Sequence, residues 1–397
     1  MKILLLAPQP FYQNRGTPIA VKLLAEVLAN AGHHIDILTY HEGEDFKFPN
    51  ISIHRIPKIP GIYNISPGPT WKKLVCDVFL FGKCLVMVHQ NRFDIIHAVE
   101  ESAFMAALLR YFFKIPYVYD MDSSFPRQII EKYPILHPIE NMLKRLERII
   151  IKKADGVVAV CKYIEEIARE CDPKSNILRL EDISLLQKST HKAESLTDTL
   201  SISNPIIMYV GNLEAYQGID LLLESFQRVI QKIAAVNLII IGGSSEDIKK
   251  YRRKSVMLEI HKRTHFIGPR PTSQLESYLK QADILISPRI KGGNTPMKIY
   301  SYLDSGKPVL ATRLSTHTQV LDGKIAILTL PDPNSMAEGI ISLIADKKFA
   351  SQIAANARER VKTNFTRDVF KKKLIGFYEN IESTITVHKE PHVGGMQ

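Results

Sequence analysis

The segment that decides the fold is residues 284–312, ILISPRIKGGNTPMKIYSYLDSGKPVLAT. It begins with a short apolar run, Ile284 to Ser287, which predicts a buried strand. A basic Gly-Gly loop follows, and then a helix is predicted with Thr295 as its N-cap and Pro296 at its first position. A glycine ends this helix, and the apolar run Val309 to Ala311 predicts the next strand. A strand, a loop, a helix and a strand in this order predict a parallel α/β sheet.

The loop between that strand and that helix is predicted to bind an anion. A helix start presents unpaired N–H groups and the positive end of the helix dipole. Arg289 and Lys291 flank the turn, and Lys298 on the first helical turn is placed to point back toward it. Three cations around one helix start suggest more than one negative charge, so we predict a bound diphosphate. A solvated basic loop is the alternative, because most surface Lys and Arg side chains hold no ligand.

Length and composition set the broad class of the protein. The chain has 397 residues, of which 45% are apolar, so it is long enough for two domains with complete cores. Its formal charge of +11 predicts an acidic partner, such as a nucleotide, a phosphorylated acceptor or an anionic lipid. No basic patch interleaved with aromatic residues and no nucleic-acid motif is found, so nucleic acid is not a predicted partner.

The cysteines and the N-terminus indicate the compartment. The four cysteines lack the paired spacing of a zinc or redox site, and they are too few for a disulfide scaffold. The first apolar run is too short for a signal peptide and predicts a first strand. We therefore predict a protein of the reducing cytoplasm. A location at the inner face of the membrane is the alternative.

A membrane partner is suggested by one helical segment. Trp71 to Val88 is rich in large apolar residues, but Lys72, Lys73, Asp77 and Lys83 interrupt it, so it is amphipathic rather than membrane-spanning. A core helix with one wet face is the alternative. Further basic residues at 144–153 add weight to a membrane surface or a phospholipid as partner.

Strand and helix patterns alternate twice along the chain. A first βα series starts with the strand Ile3 to Ala7 and the helix Pro18 to Ala31, and a second starts at Pro205 after a polar, Ser/Thr-rich stretch. The alternation predicts two doubly wound, Rossmann-like domains that face a central cleft, with ligands at the carboxyl ends of the strands. The predicted division is an N-terminal domain 1–182, a linker 183–204, a C-terminal domain 205–365, a helix 366–386 that packs back on the N-terminal domain, and a disordered tail 387–397.

The order of these motifs resembles the retaining, nucleotide-sugar-dependent glycosyltransferases of family 4, which have the GT-B architecture. The resemblance covers nearly the whole chain. It rests on Gly16 in the first loop, the Gly32-His33 turn, His97 after a strand, and the motifs ADGVVAV at 154–160, VGNL at 210–213, QGIDLLL at 217–223 and GKPVLAT at 306–312.

The resemblance implies that the C-terminal domain holds the nucleotide sugar and the N-terminal domain holds the acceptor. The implied reaction moves a sugar from a nucleotide-diphosphate sugar to a glycan or a lipid-linked acceptor. It needs no cofactor, and fixed cations at the leaving phosphate remove the need for a divalent metal. The predicted donor-binding residues are Gly16, Asn212, Gln217, Gly268, Arg270, Lys291, Gly292, Gly293, Asn294, Thr295, Pro296 and Ser301.

The chain departs from the family where charge is expected. Asn212 and Gln217 stand where the family has an Arg and a Lys that grip the donor diphosphate, and Gly293 and Ser301 stand where it has two Glu residues. Our hypothesis is that Arg289, Lys291 and Lys298 replace the missing phosphate charge. Arg289 and Lys298 are therefore predicted to be catalytic.

On the acceptor side, the predicted residues follow two strands of the N-terminal domain. Glu100 is a predicted catalytic group, and the predicted acceptor contacts are His97, Glu101, Asp120 and Asp122. A structural His97 that caps its own loop is the alternative for that residue. Asp120 and Asp122 also imitate a metal-binding Asp-x-Asp, but the second βα series carries the basic helix start, so no metal site is predicted.

Two other functions stay open. A nucleotide-sugar epimerase of the same fold would need acidic groups near the sugar, and Gly293 and Ser301 provide none. A catalytically weak partner subunit that binds a nucleotide sugar is the stronger rival, because four positions have lost charge.

Overall fold

The computed structural model describes residues 1–13, 16–66, 68–186, 193–202 and 205–389. The chain forms two compact units. One comprises residues 1–181 together with the chain from Phe370 onward, and the other comprises residues 182–369. Within the described ranges, none of the helices combines the length and the hydropathy that crossing a bilayer requires.

The first unit contains a seven-stranded parallel sheet with the order β3-β2-β1-β4-β5-β6-β7. Its strands are β1 Lys2–Ala7, β2 His34–Thr39, β3 Ile51–Arg55, β4 Ile95–Val99, β5 Tyr117–Met121, β6 Gly156–Ala159 and β7 Ile177–Arg179. Its helices are α1 Gly16–Asn30, α2 Trp71–Gln90, α3 Ser102–Phe113, α4 Phe125–Lys132, α5 Glu140–Lys153, α6 Lys162–Cys171 and the C-terminal helix Arg367–Lys389, with a 3-10 helix at Pro134–Ile139.

The core of this unit follows from the strand sequences. Residues 3–7 of β1 are completely buried, as a parallel sheet covered on both faces requires. The C-terminal helix packs on β6, where a Cβ atom at Gly156 would lie 2.5 Å from the ring of Phe377. A glycine is therefore needed for the helix to approach this strand.

The second unit contains a six-stranded parallel sheet with the order β10-β9-β8-β11-β12-β13. Its strands are β8 Ile206–Val210, β9 Asn237–Ile241, β10 Thr264–Gly268, β11 Ile284–Ser287, β12 Val309–Thr312 and β13 Ile327–Thr329. Its helices are α7 Leu196–Leu200, α8 Ile219–Lys232, α9 Ser245–Met257, α10 Leu275–Leu279, α11 Lys298–Asp304, α12 Ser315–Thr318, α13 Pro333–Ala345 and α14 Lys347–Asn364, with 3-10 helices at Ala215–Gln217 and Thr272–Gln274. The prediction of two doubly wound α/β domains is confirmed. The C-terminal helix of the first unit, Arg367–Lys389, is α15.

The polar stretch that was predicted to be a linker is partly structured. Residues 196–200 form α7, and Leu196 is fully buried in the core of the second unit. The Leu196 amide donates to Gln281 Oε1 at 2.7 Å, which fixes the start of this helix. Residues 387–389, which were predicted to belong to a disordered tail, are part of the C-terminal helix. Residues 187–192 and 390–397 lie outside the described residues.

Two predicted helix starts are wrong. Helix α11 begins at Lys298 rather than after Thr295, and its N-terminal flanking residue, Met297, makes no side-chain cap. Thr295 is buried, and its Oγ1 has no hydrogen-bond partner among the described residues. Helix α1 begins at Gly16, two residues before the predicted start at Pro18. Asn14 and Arg15 of that loop lie outside the described residues.

Candidate functional site

The candidate site lies at the carboxyl ends of β8 and β11, which are neighbours in the sheet of the second unit. From β8 the chain moves outward to β9 and β10 and then returns to place β11 on the other side of β8. This is the topological switch point at which doubly wound sheets bind ligands. Three segments meet here: the loop after β8, the Gly-Gly loop after β11, and the start of α11.

The Gly-Gly loop after β11 closes around the side chain of Arg289, which is 8% exposed. Its Nε donates to the Lys291 carbonyl at 2.7 Å, and its Nη1 donates to the Asn294 carbonyl at 3.2 Å. The guanidinium also stacks on the ring of Tyr216 at 5.1 Å. Gly292 has φ of 125°, and a Cβ atom there would lie 2.5 Å from Arg289 Nη2. The glycine therefore makes room for the arginine.

Lys298, the first residue of α11, reaches back to the loop after β8. Its Nζ donates to Tyr209 Oη at 2.8 Å and to Gln217 Oε1 at 3.2 Å. The same atom lies 4.0 Å from the centre of the Tyr209 ring, a cation–π distance. A Cβ atom at Gly211 would lie 2.6 Å from this amino group, so only glycine leaves it space.

The two cations of this site have no counter-charge. Neither Arg289 nor Lys298 forms an ion pair with a carboxylate in the described part of the chain. Burial lowers the pKa of Lys298 well below its ordinary value, and the charge of Arg289 lowers it further. Burial also lowers the pKa of Arg289. Because charge removed from water is normally paired, the arrangement favours an anion at this position.

Helix α12 and the residue after it hold the Gly-Gly loop from behind. Thr316 Oγ1 donates to the Asn294 carbonyl at 2.6 Å, and Gln319 Nε2 donates to the Gly293 carbonyl at 3.0 Å. Thr312 Oγ1 donates to the Arg289 carbonyl at 2.5 Å. Three carbonyls of the loop are thus fixed by side chains from a neighbouring strand and helix.

His317 anchors this support and is fully buried. Its Nδ1 lies 2.8 Å from the Thr312 carbonyl, so this nitrogen carries the proton, and Nε2 accepts from Ser287 Oγ at 2.9 Å. Burial lowers the pKa of His317 to about 4, which keeps the ring neutral at physiological pH. The sequence analysis missed this histidine, although it lies only five residues after the end of β12.

In the first unit, His97 on β4 is completely buried and engaged at both ring nitrogens. Nδ1 lies 2.7 Å from Tyr378 Oη, and Nε2 lies 3.1 Å from Asp120 Oδ2. Both ring nitrogens of His97 are therefore bonded within the first unit, one of them to Tyr378 of α15, and the acceptor contact through His97 stays a prediction. Asp120 is also largely buried, and its Oδ2 accepts a hydrogen bond from His97. Its contact with an acceptor substrate stays a prediction.

A charged cluster lies beside this pair, at the end of β4 and the start of α2. Lys73 is buried and forms an ion pair with Glu101, while Tyr40 Oη donates to Asp77 Oδ1 at 2.5 Å. Burial and the charge of Glu101 raise the pKa of Asp77 to about 8. The same two causes raise the pKa of Glu100 to about 7, and its backbone has a left-handed φ of 48°.

Lys73 and Asp77 were not predicted as part of this cluster, although their spacing of one helical turn places them on one face of α2. Asp122 is half-buried near the end of β5. No group of three or more His, Cys, Asp or Glu side chains arranged to hold a metal is found among the described residues.

Comparison with known proteins identifies the family. Residues 15–178 match the family model Glycosyltransferase Family 4, and residues 204–346 match the model Glycosyl transferases group 1. The chain is a family 4 glycosyltransferase with the GT-B fold.

The relatives agree with this assignment over the full length of the chain. The glycosyltransferase is 22% identical to the phosphatidyl-myo-inositol mannosyltransferase of Mycolicibacterium smegmatis, over 96% of this chain and 94% of that protein. Its fold matches the sucrose-phosphate synthase of Thermosynechococcus elongatus with a TM-score of 0.75 at 19% identity, over 96% and 99% of the two chains. It also matches HepE of Anabaena, solved in complex with UDP-glucose, with a TM-score of 0.69 at 16% identity, over 98% and 100% of the chains.

Several residues of the predicted donor site of the glycosyltransferase are either exposed or hydrogen-bonded to other parts of the second unit. Lys291 is exposed, and its carbonyl accepts from Arg289, so two cations rather than three are gathered. Ser301 is 1% exposed, and its hydroxyl accepts from the Leu185 amide at 3.0 Å. Arg270 is held by Glu194 at 3.0 Å and by Tyr278 at 3.0 Å. The side chains of Ser301 and Arg270 are thus bonded by residues distant in the sequence, and their roles at the donor stay predictions.

Of the other predicted donor residues of the glycosyltransferase, Asn212, Gly268 and Pro296 belong to the second unit and Gly16 belongs to the first. Asn212 is exposed after β8, and its carbonyl accepts from Tyr209 Oη at 2.6 Å. Gly268 ends β10 with φ of 78°. Pro296 is buried just before α11. Gly16 begins α1 in the other unit.

Proposed function

We propose that this glycosyltransferase takes its sugar from a nucleotide-diphosphate sugar and transfers it to a glycan or a lipid-linked acceptor. In this proposal the anomeric configuration is retained, no divalent metal takes part, and the diphosphate binds between Arg289 and Lys298. The work is placed in the cytoplasm, where such donors are made, or at the inner face of its membrane.

One observation carries the proposal: two largely buried cations lie at the switch point of the second sheet with no carboxylate partner among the described residues. In the described ranges, the partners of the three Lys298 N–H groups are the neutral Tyr209 and Gln217. Arg289 uses three of its five N–H donors on loop oxygens. A diphosphate would supply both the charge and the acceptors that these groups lack.

The chemistry follows from this arrangement. Breaking the bond between the sugar and the diphosphate builds negative charge on the leaving phosphate. Cations that are already fixed in place stabilise that charge more in the transition state than in the ground state, and each such group contributes roughly 3 kcal/mol. In the proposal Arg289 and Lys298 provide this stabilisation, and the polar loop after β8 provides hydrogen bonds.

Relatives support the choice of donor and acceptor. HepE of Anabaena was solved with UDP-glucose, which makes a uridine diphosphate sugar the first donor to test. The mannosyltransferase of Mycolicibacterium smegmatis is named for a phospholipid acceptor. Retention of configuration is proposed from the resemblance to the retaining family.

A second candidate function is a partner subunit that binds a nucleotide sugar without transferring it. It is favoured by Gly293 and Ser301, which stand where the family has acidic residues. The buried hydroxyl of Ser301 accepts from the backbone amide of Leu185, and it carries no charge that could take the place of a Glu.

The proposal is tested by calorimetry with UDP, GDP and ADP in the presence of a chelator, followed by release of the nucleotide from its sugar in the presence of acceptors. Lys298→Ala is expected to abolish binding, Gln217→Ala to weaken it only mildly, and Lys324→Ala, an exposed lysine of the same unit, to leave it unchanged. Loss of binding in Gln217→Ala but not in Lys298→Ala would contradict the proposed site. Tight binding without turnover of any sugar or acceptor would favour the partner subunit.

A further inference from the structure

The outer surface of one helical layer in the first unit is unusually apolar. Helices α2, α3 and α5 lie on the same side of the sheet, since their inner residues, such as Cys76, Ala106 and Ile150, share one core cluster. Large apolar side chains also project outward from these helices and from the 3-10 helix before α5. They are Trp71, Leu74, Val78, Phe79, Val86, Leu108, Tyr111, Phe112, Ile135, Ile139, Met142, Leu146 and Ile149, which we call the apolar face.

Helix α2 shows how unusual this surface is. Its inner side, with Cys76 and Leu80, is buried in the core, as expected for a helix that covers a sheet. A helix at an ordinary protein surface has polar residues on its other side. In α2 that side instead carries Trp71, which is 64% exposed, and Leu74, which is 68% exposed.

The helices that carry the apolar face contact one another. Helix α3 contacts both α2 and α5, and α5 contacts the 3-10 helix. Tyr133 Oη donates to the Pro69 carbonyl at 3.1 Å and so ties the start of the 3-10 helix to the start of α2. The most exposed members are Ile135 at 86%, Tyr111 at 71% and Phe112 at 70%. A patch that extends over several elements marks an interaction surface.

Basic residues surround and interrupt the apolar face. Helix α5 exposes Lys144, Arg145, Arg148, Lys152 and Lys153. Its mid-helix acid, Glu147, faces inward, where it accepts from Ser124 Oγ at 2.9 Å, so it does not neutralise this surface. Lys114 lies 5.6 Å from the ring of the exposed Tyr111, which places another cation beside an aromatic side chain.

We propose that the apolar face docks on an anionic lipid bilayer. The aromatic and aliphatic side chains would enter the interfacial region, and the lysines and arginines would meet the lipid phosphates. Charge complementarity selects this partner. The core of a protein interface is depleted of charged residues, lysine above all, whereas a membrane-binding surface combines Trp, Tyr and Phe with exposed Lys and Arg. The proposal does not depend on the nature of the sugar donor.

The chain contains a single tryptophan, Trp71, and it belongs to the apolar face. The experiment titrates the full-length protein with phosphatidylcholine vesicles, with and without phosphatidylglycerol, and follows tryptophan emission and its quenching by brominated lipid. We expect a blue shift and quenching with the anionic vesicles. The pair Phe112→Ser and Ile135→Ser should weaken partitioning at least about tenfold, and Arg145→Glu with Arg148→Glu should weaken it about fivefold or more for each cation lost.

Matched control pairs come from the second unit: Met257→Ser with Phe349→Ser, and Lys347→Glu with Lys348→Glu, all at exposed positions. These controls should bind vesicles like the unmodified protein, and circular dichroism should show that all variants are folded. The proposal is overturned if emission does not change, if vesicles without phosphatidylglycerol bind equally well, or if the controls lose as much binding as the test variants. It is also overturned if gel filtration without lipid shows a dimer that the Phe112 and Ile135 variant dissociates, since the face would then join two copies. No nucleotide sugar is present, so these outcomes are independent of the proposed reaction.

Discussion

The amino group of Lys298 lies 3.2 Å from Gln217 Oε1 and donates a hydrogen bond to it. Gln217 occupies the position at which the family resemblance expects a donor-gripping lysine. In the proposed function, Lys298 at the start of α11 supplies the charge that Gln217 lacks, with Tyr209 as its second hydrogen-bond partner. A lysine at this position lowers the stability of the ligand-free protein, because its charge is largely removed from water and has no counter-charge among the described residues.

Replacing Lys298 with methionine should separate stability from binding. Methionine keeps the apolar stem but removes the buried charge, so the ligand-free protein should become more stable by about 1–3 kcal/mol. Binding of a nucleoside diphosphate should weaken by roughly a hundredfold, since a charge-assisted contact is lost. Thermal unfolding with and without UDP measures both effects. A less stable variant that still binds UDP would show that Lys298 serves packing alone.

Gly211→Ala should weaken nucleotide binding through Lys298. The new Cβ would lie 2.6 Å from the amino group and 3.1 Å from Tyr209 Oη, and the glycine has φ of 150°, which strains other residues. Displacement of the amino group should cost about tenfold in UDP affinity by calorimetry. Gly323→Ala is the matched control, because a Cβ there meets nothing within 4 Å. Equal effects of the two alanines would mean that general destabilisation is the cause.

Thr316→Val should disturb the loop that surrounds Arg289 without touching a ligand. It removes the 2.6 Å hydrogen bond to the Asn294 carbonyl, while the volume of the side chain is nearly unchanged. Loss of one buried hydrogen bond costs about 1 kcal/mol or more, so KM for the donor should rise several-fold while kcat falls less. Thr318→Val on the same helix, at an exposed position, is the control. If kcat falls and KM stays constant, the loop is not positioned in this way.

Local patterns in the sequence were sufficient to predict the strands and the switch-point loop. The apolar run 284–287 is the strand β11 with the same bounds, because a buried parallel strand depends mainly on its own hydropathy. The support of the Gly-Gly loop could not be predicted in this way. It depends on the register of β11 against β12, in which Ser287 pairs with Ala311 and so brings Thr312 and His317 next to Arg289.

The start of α11 was predicted wrongly, and the exposed side of α2 was left undecided, for a related reason. Thr295 and Pro296 have the sequence of a helix start, but both are buried in tertiary contacts, and the helix begins three residues after Thr295. In α2 the amphipathic pattern predicted either a wet outer side or a membrane surface. The structure exposes Leu74 and Val78, a result that depends on which side the sheet covers.

The charged cluster at the end of β4 should make stability depend on pH. Asp77 has its pKa raised from 3.8 to about 8, first by burial and then by the charge of Glu101. Below about pH 4 the carboxyl is protonated in both the folded and the unfolded protein, so its favourable contribution is complete. As pH rises toward about 8, the unfolded chain releases the proton while the folded protein retains it, and stability falls.

Asp77→Asn removes this titration and keeps an oxygen that can accept from Tyr40 Oη. The melting temperature of the variant should therefore fall less between about pH 4 and about pH 8 than that of the unmodified protein. Glu131→Gln, at an exposed position of the same unit, should leave the pH profile unchanged. If the profile of Asp77→Asn matches that of the unmodified protein, the carboxyl is ionised at neutral pH, and the ion pair of Lys73 with Glu101 must then stabilise a second negative charge as well.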